Sequence, residues 1–183
     1  MFEYAGPIVM VSLLLGFRKQ IYKTDKPLTL NQKIGCALVY AHYLKREFET
    51  MFVHRFSNDS MPIFNLLKNS FHYWVIFGFI NMYFFLHPEY RPPAWARSKK
   101  FMFGVVALFI LFEYLNLQTH YTLRNLRKPG TSERGIPKGW GFQWVSCANY
   151  WWEFLCWVLF SIQSGHPGCK CFLIFPVSLT KNL

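Results

Sequence analysis

The sequence predicts an all-α, polytopic membrane protein with about five to six transmembrane helices. Three observations carry that prediction. Apolar blocks alternate with basic segments along the whole chain. Hydrophobic residues make up 52% of it and aromatics 20%, with only 16% charged, where a soluble domain carries about a quarter charged residues. No long stretch shows the two-residue alternation of a barrel strand. Twenty Phe, ten Tyr and seven Trp are more than a water-facing surface hides, and they exclude a disordered chain. Mean hydropathy is only +0.13, because Lys and Arg separate the apolar blocks. A length of 183 residues fits one domain, expected over 1–165, with 166–183 as a divergent C-terminal tail.

The blocks run Tyr4–Phe17, Ile34–Tyr43, Phe71–Leu86, Phe101–Leu117 and Val145–Ile162, and Phe172–Val177 is a stub of a sixth. Several fall short of the roughly 20 residues that a spanning helix needs. The second block is expected to continue as an amphipathic helix through Phe52. Trp and Tyr gather at block ends (Tyr73 and Trp74, Trp144, Trp151 and Trp152) as interfacial residues do. His87-Pro88 and Arg91-Pro92-Pro93 end the third block, Pro129-Gly130 ends the helix leaving the fourth, and Pro137 to Gly141 makes a turn before the fifth. With five spans, the loops Arg18–Lys33 and His87–Lys100 share one side, and Leu44–Ser70 and Gln118–Trp144 share the other. The two pairs carry equal numbers of Lys and Arg, so charge does not set the orientation. Asn58-Asp59-Ser60 is a glycosylation sequon, usable only from the lumenal side.

The net charge of +11 does not point to nucleic acid. The basic residues lie in gaps between apolar stretches and not along one face, which fits loops against anionic headgroups of a lipid bilayer or an anionic ligand. Cys36 and Cys156 sit inside apolar blocks and read as small buried hydrophobes. His166, Cys169 and Cys171 have a spacing unlike the common zinc patterns, so no metal is expected. The first block has no basic region before it and no small-residue cleavage site, so no cleavable signal peptide is expected.

Polar residues concentrate in three places. Around the exit of the fourth block, taking Asn116 as zero at about 100° per residue, His120 falls near about 40°, Arg124 near about 80° and Arg127 near about 20°. One face thus presents an amide, an imidazole and two guanidiniums. Polar groups at that depth are costly unless they line a cavity or bind something, and planar, permanently charged Arg suits phosphate. A headgroup-binding loop is the plain alternative. In His42 to Phe56, Lys45 and Glu49 are four apart, which reads first as a solvated charged face. Tyr43 and Lys45, two apart, point about 200° away from each other. In the fifth block, Asn149 and Glu153 share a broad face with Tyr150 beside them, and an intramembrane Glu is a functional candidate. Rossmann and Walker glycine patterns are absent, as are the G-x-S-x-G and H-E-x-x-H motifs.

At these residues the sequence resembles the very-long-chain trans-2-enoyl-CoA reductases of the steroid 5α-reductase superfamily. The matching pieces are Glu3 to Pro7, His42 to Arg46, Glu49-Thr50, Phe52 to Ser57, Met61-Pro62, Asn69, Leu123 to Arg127, Ile136-Pro137 and Val145 to Tyr150. They fall in family order from Glu3 to about Ile162.

The resemblance implies NADPH-dependent reduction of a trans-2-enoyl-CoA to the saturated acyl-CoA, the last step of fatty-acid elongation. It places the protein in the endoplasmic reticulum membrane, multi-pass, beside other fatty-acid elongation enzymes. It implies Lys45 and Tyr150 as the catalytic pair, with Tyr43 competing as the match to the steroid reductases' proton-donating tyrosine. It implies Asn116, His120, Arg124, Arg127, Arg134 and Asn149 at the cofactor, although His120 stands where the steroid reductases have an acid and Arg134 matches only with a one-residue shift. Physically, a Tyr hydroxyl or Lys ammonium beside the thioester oxygen stabilises the charge that builds there. Members of that group carry a ubiquitin-like region before the first span and end on a basic, aromatic segment that completes the cofactor site. This sequence shows neither, and Ala148 replaces their Pro, so a chain truncated at both ends is expected. Alternatives are a non-catalytic membrane protein of the elongation complex, a steroid-type double-bond reductase, and an isoprenylcysteine-type methyltransferase.

Overall fold

The computed structural model describes residues 2–55, 62–126 and 135–165. The described residues form helices and turns with no strand among them. Arg127, Arg134, the sequon at Asn58, the His166–Cys171 cluster and the expected sixth block lie outside them.

α1 spans Phe2–Gly16 and the short α2 spans Arg18–Tyr22, a helix where the sequence reading had a loop. α3 spans Leu30–Phe48 and runs on as a π-helical turn over Glu49–Val53, which is the expected continuation through Phe52. Its start is fixed chemically. The Thr29 hydroxyl accepts from the Gln32 backbone N–H at 3.2 Å, and the Gln32 side chain accepts from the Thr29 N–H at 2.9 Å, a reciprocal capping box. α4 (Ile63–Ser70), a π-helical stretch over Phe71–Asn81 and α5 (Met82–Phe85) follow one another without a break in helical backbone. This rod starts well before the apolar block at Phe71. A single 3₁₀ turn (Trp95–Arg97) leads to α6 (Lys99–Asn125), which Ser98 caps, and α7 covers Ala148–Ser164.

α3 lies between two packed pairs, α1 with the π-helical rod on one side and α6 with α7 on the other. The core draws on every long element: Leu14, Val39, Tyr43, Phe77, Phe85, Phe109, Trp157 and Phe160 are among its buried residues. Small residues let α1 approach the rod. A Cβ at Gly6 would stand 2.3 Å from the Trp74 ring, and one at Gly78 would stand 2.9 Å from the Tyr73 carbonyl and 3.1 Å from Pro7 Cα. Close approach through small residues is how helices gain contact where lipid removes the hydrophobic drive. Cys36 and Cys156 are buried, as expected.

The two loops expected on one side do meet. Lys26 pairs with Glu89 at 2.6 Å, and the Tyr22 hydroxyl donates to the Tyr83 carbonyl at 2.7 Å. The Lys26 ammonium holds the Glu89 carboxyl below its ordinary range. The same end is locked by amides. Asn31 Nδ2 donates to the Gln163 carbonyl at 2.9 Å, Gln163 Nε2 donates to the Asn31 carbonyl at 2.8 Å, and the Tyr90 hydroxyl lies 2.6 Å from the Ser164 carbonyl. α7 then stops on Gly165 at φ +60°, where a Cβ would also strike Pro93 at 2.6 Å, so the left-handed cap requires glycine.

α6, at 27 residues, is long and apolar enough to cross a membrane; α1, at 15, is apolar but shorter. Large apolar side chains face outward on several elements, including Phe64, Leu67 and Phe71 on the rod and Phe103 and Ile110 on α6. Arg46, Glu49 and Glu113 face inward, as described below.

The close approach gives a prediction. Gly78→Ala should destabilise the protein by about 1–3 kcal/mol, the usual cost of overpacking, because backbone on both sides cannot yield. Gly104→Ala, with no atom within 4 Å of the new Cβ, should be neutral or stabilising by up to about 1 kcal/mol. Thermal melting of the two variants in the same detergent or lipid checks the contrast.

Candidate functional site

The heptad-like spacing of His42, Lys45, Arg46 and Glu49 puts all four on one face of α3 and its π turn. Glu113, Asn116 and His120 share a face of α6 in the same way. These faces meet inside the bundle. His42 Nδ1 lies 2.6 Å from Glu113 Oε1, and Lys45 Nζ lies 2.7 Å from Glu113 Oε2. Lys45 also pairs with Glu49 at 3.2 Å and donates to the Asn116 side-chain oxygen. Glu49 Oε2 receives Arg46 at 3.0 Å and His120 Nδ1 at 3.0 Å. α1 contributes Tyr4, whose hydroxyl accepts from Arg46 at 2.7 Å. α7 contributes Glu153, 3.6 Å from His42 Nε2.

Glu49 has no exposed side-chain surface and His42 only 1%. The Lys45–Glu49 pair is therefore not a solvated surface pair, as its spacing alone reads. The two carboxylates of α3 and α6 stay inside because each has a cation against it; an unpaired charge there would be far costlier.

The network reaches the start of α7. Asn116 Nδ2 donates to the Asn149 carbonyl at 2.8 Å, and Tyr150 follows Asn149 in the helix. Lys45, Asn116, Asn149 and Tyr150 thus lie at one end of the bundle, opposite the Asn31–Gln163 lock. Tyr150 is 44% exposed. Tyr43 is fully buried among Tyr73, Phe77, Trp157 and His42 rings, and its hydroxyl has no partner among the described residues. Tyr43 and Lys45 do point into different surroundings, as their angular separation predicts. Asn116 and His120 are buried and engaged with protein groups. Arg124 is half-buried, and its Nε is buried without a partner among the described residues.

Residues 59–181 match the 3-oxo-5-alpha-steroid 4-dehydrogenase family, about two thirds of the chain. The chain belongs to that family. A very-long-chain enoyl-CoA reductase of Dictyostelium discoideum is 43% identical over 160 residues, covering 87% of this chain and 52% of that protein. A probable very-long-chain enoyl-CoA reductase of Caenorhabditis elegans is 42% identical over 172 residues, covering 89% and 55%. The rat 3-oxo-5-alpha-steroid 4-dehydrogenase 2 is 32% identical over 139 residues, covering 76% and 53%. The chain spans about half the length of the curated relatives it matches. The resemblance read from the motifs is thereby borne out, and these enoyl-CoA reductases are more similar than the steroid enzyme.

Within this member of the steroid dehydrogenase family, sequence reasoning passed over Glu113, Arg46 and His42. The signal for Glu113 is plain in hindsight: an acid inside an apolar block, three residues before Asn116 on the same face. Glu49, His54 and His120 can bring ligand atoms within 4.8 Å of one another, a spacing a metal ion would fit. Lys45 and Arg46 already neutralise Glu49, and their positive charge opposes a divalent cation there. His54, in the segment leaving the π turn, has its pKa pushed down to about 4 by burial and then by His120 and Arg46, so it adds no charge to the cluster at neutral pH.

Removing the shared anion should unbalance the network. Glu49→Gln should lower folding stability by about 3–5 kcal/mol, the usual cost of breaking one side of a buried pair. A melting curve against the unmodified protein, with protein yield as a second readout, checks this.

Proposed function

We propose that the chain is the membrane-embedded part of an NADPH-dependent trans-2-enoyl-CoA reductase that completes very-long-chain fatty-acid elongation. The observation that carries this reading is the joining of Lys45, through Asn116, to the backbone at Asn149 beside Tyr150. Those are the side chains that the resemblance implies for chemistry and cofactor. The 40–43% identity to proteins named enoyl reductases supports the substrate class. Apolar surface outside and compensated charge inside support a bundle immersed in a lipid bilayer, and the resemblance implies about five to six spans in the endoplasmic reticulum membrane.

The residues present fit an anionic nucleotide. The buried Arg124 Nε, without a partner among the described residues, suits a phosphate oxygen. Arg124, Arg127, Arg134 and Asn149 would hold NADPH, while Asn116 and His120 act by fixing Lys45 and Glu49. NADPH, when bound, supplies hydride to the β-carbon of the enoyl thioester. Lys45 sets positive charge near the thioester oxygen as electron density moves there. Its ammonium already contacts Glu113, Glu49 and Asn116, so it meets the substrate oxygen by giving up one of them, with the longer Glu49 contact the least costly. Tyr150 delivers a proton to the α-carbon. Its exposure makes it reachable, whereas Tyr43 sits behind aromatic rings. The acyl chain lies along the apolar faces, and other elongation enzymes supply the enoyl-CoA.

Membranes containing the full-length gene product should oxidise NADPH when a long-chain 2-enoyl-CoA is added. Tyr150→Phe should lower turnover on the order of 10²–10³-fold. Unchanged turnover in Tyr150→Phe with a large loss in Tyr43→Phe would move the proton donor to Tyr43. No activity above membranes without the protein, with the protein confirmed present, would contradict the reading.

A further inference from the structure

Glu113 differs from the other acids of the network in what it joins. Glu49 follows Lys45 by four residues on the same helical run and reaches α6 only through His120. Glu113 comes from α6 and makes the shortest ion pair of Lys45, at 2.7 Å. Its backbone carbonyl also lies 3.5 Å from Lys45 Nζ. Its other carboxylate oxygen lies 2.6 Å from His42 Nδ1. His42 in turn is wedged by the Trp157 ring at 4.7 Å and by the Tyr43 ring at 4.9 Å, with Glu153 of α7 near its second nitrogen. The Glu113 carboxylate is therefore held on one oxygen by a buried imidazole packed between two aromatic rings, and it presents the other to the lysine. A flexible four-carbon stem such as that of Lys gains a defined position only from partners of this kind.

We propose that Glu113 is the positioning residue for Lys45 in the reaction, and that His42 acts by holding the Glu113 carboxylate in place. The proposal rests on the reading of Lys45 as a catalytic group. A carboxylate that merely tied α3 to α6 would need one partner. This one has two, and one of them is the residue whose ammonium must stand at the thioester oxygen. Misplacing a reacting group by about 1 Å costs up to about 10²-fold in rate, and loss of the Glu113 charge releases Lys45 toward Glu49 and Asn116.

The test is a double-mutant cycle on the full-length protein in membranes, with NADPH and a 2-enoyl-CoA as substrates. Glu113→Gln keeps the shape and removes the charge. It should lower kcat by about 10²-fold and leave KM for both substrates unchanged. Lys45→Met should also lower kcat, and the double variant should be no slower than Lys45→Met alone. His42→Gln should fall between Glu113→Gln and the unmodified protein. Where Glu113→Gln does not accumulate as folded protein, Glu113→Asp carries the same cycle, because it keeps the charge but draws it back by one methylene. A folded Glu113 variant with unchanged kcat, or losses that multiply in the double variant, would overturn the proposal while leaving the reductase reading standing. Unchanged kcat in Lys45→Met would instead overturn the role of Lys45 and this proposal with it.

Discussion

Everything in this structure depends on charge balance in an interior largely withdrawn from water. Lys45 and Arg46 enter the bundle on α3, and they are tolerable only because Glu49 and Glu113 meet them at salt-bridge distance. Burying an uncompensated ion costs several kcal/mol, so the network dictates how α3 and α6 must face each other. The rotation of α3 then carries Tyr43 into the aromatic core, and that of α6 brings Asn116 against Asn149. The candidate site is thus a consequence of helix orientation, and the orientation is a consequence of the charges.

The opposite end of the bundle uses a different device. There the groups are neutral amides and hydroxyls: Asn31, Gln163 and Tyr90 bond to backbone carbonyls of neighbouring elements. Neutral hydrogen bonds hold position without the desolvation cost of ions. The molecule therefore keeps its buried charges for one end and fixes the interior of the other with amides, leaving ion pairs such as Lys26–Glu89 on its exposed surface. Tryptophans complete the frame, since Trp74, Trp95 and Trp152 each donate their indole N–H to a backbone carbonyl while covering apolar neighbours.

Much of the helical layout was legible in the sequence because apolar blocks and Pro-Gly punctuation mark helices directly. The first and last blocks coincide with α1 and α7 to within a few residues, and the Pro137 to Gly141 turn stands where expected, with Gly139, Trp140 and Gly141 at positive φ. The start of the rod at Ile63 was not legible, since Ile63–Ser70 mixes polar and apolar residues at helical spacing. The π-helical backbone has no signature in composition. At the site, the shared face of Asn116 and His120 was readable from angular position alone. The burial of Glu49 was not, because a Lys–Glu pair four apart has the same spacing on a wet surface as in a dry interior. Only the partner helix decides between them, and the residue it sets against Lys45, Glu113, lies 68 residues further along in an otherwise apolar run.

The most direct measurement is an experimental structure of the full-length protein in a lipid nanodisc, at a resolution that shows the Lys45 side chain. The account predicts the Lys45 ammonium inside the bundle, about 2.7 Å from the Glu113 carboxylate, with Asn116 bridging to the Asn149 carbonyl. A map in which Lys45 points to lipid or bulk water, or Glu113 faces away from α3, would contradict it.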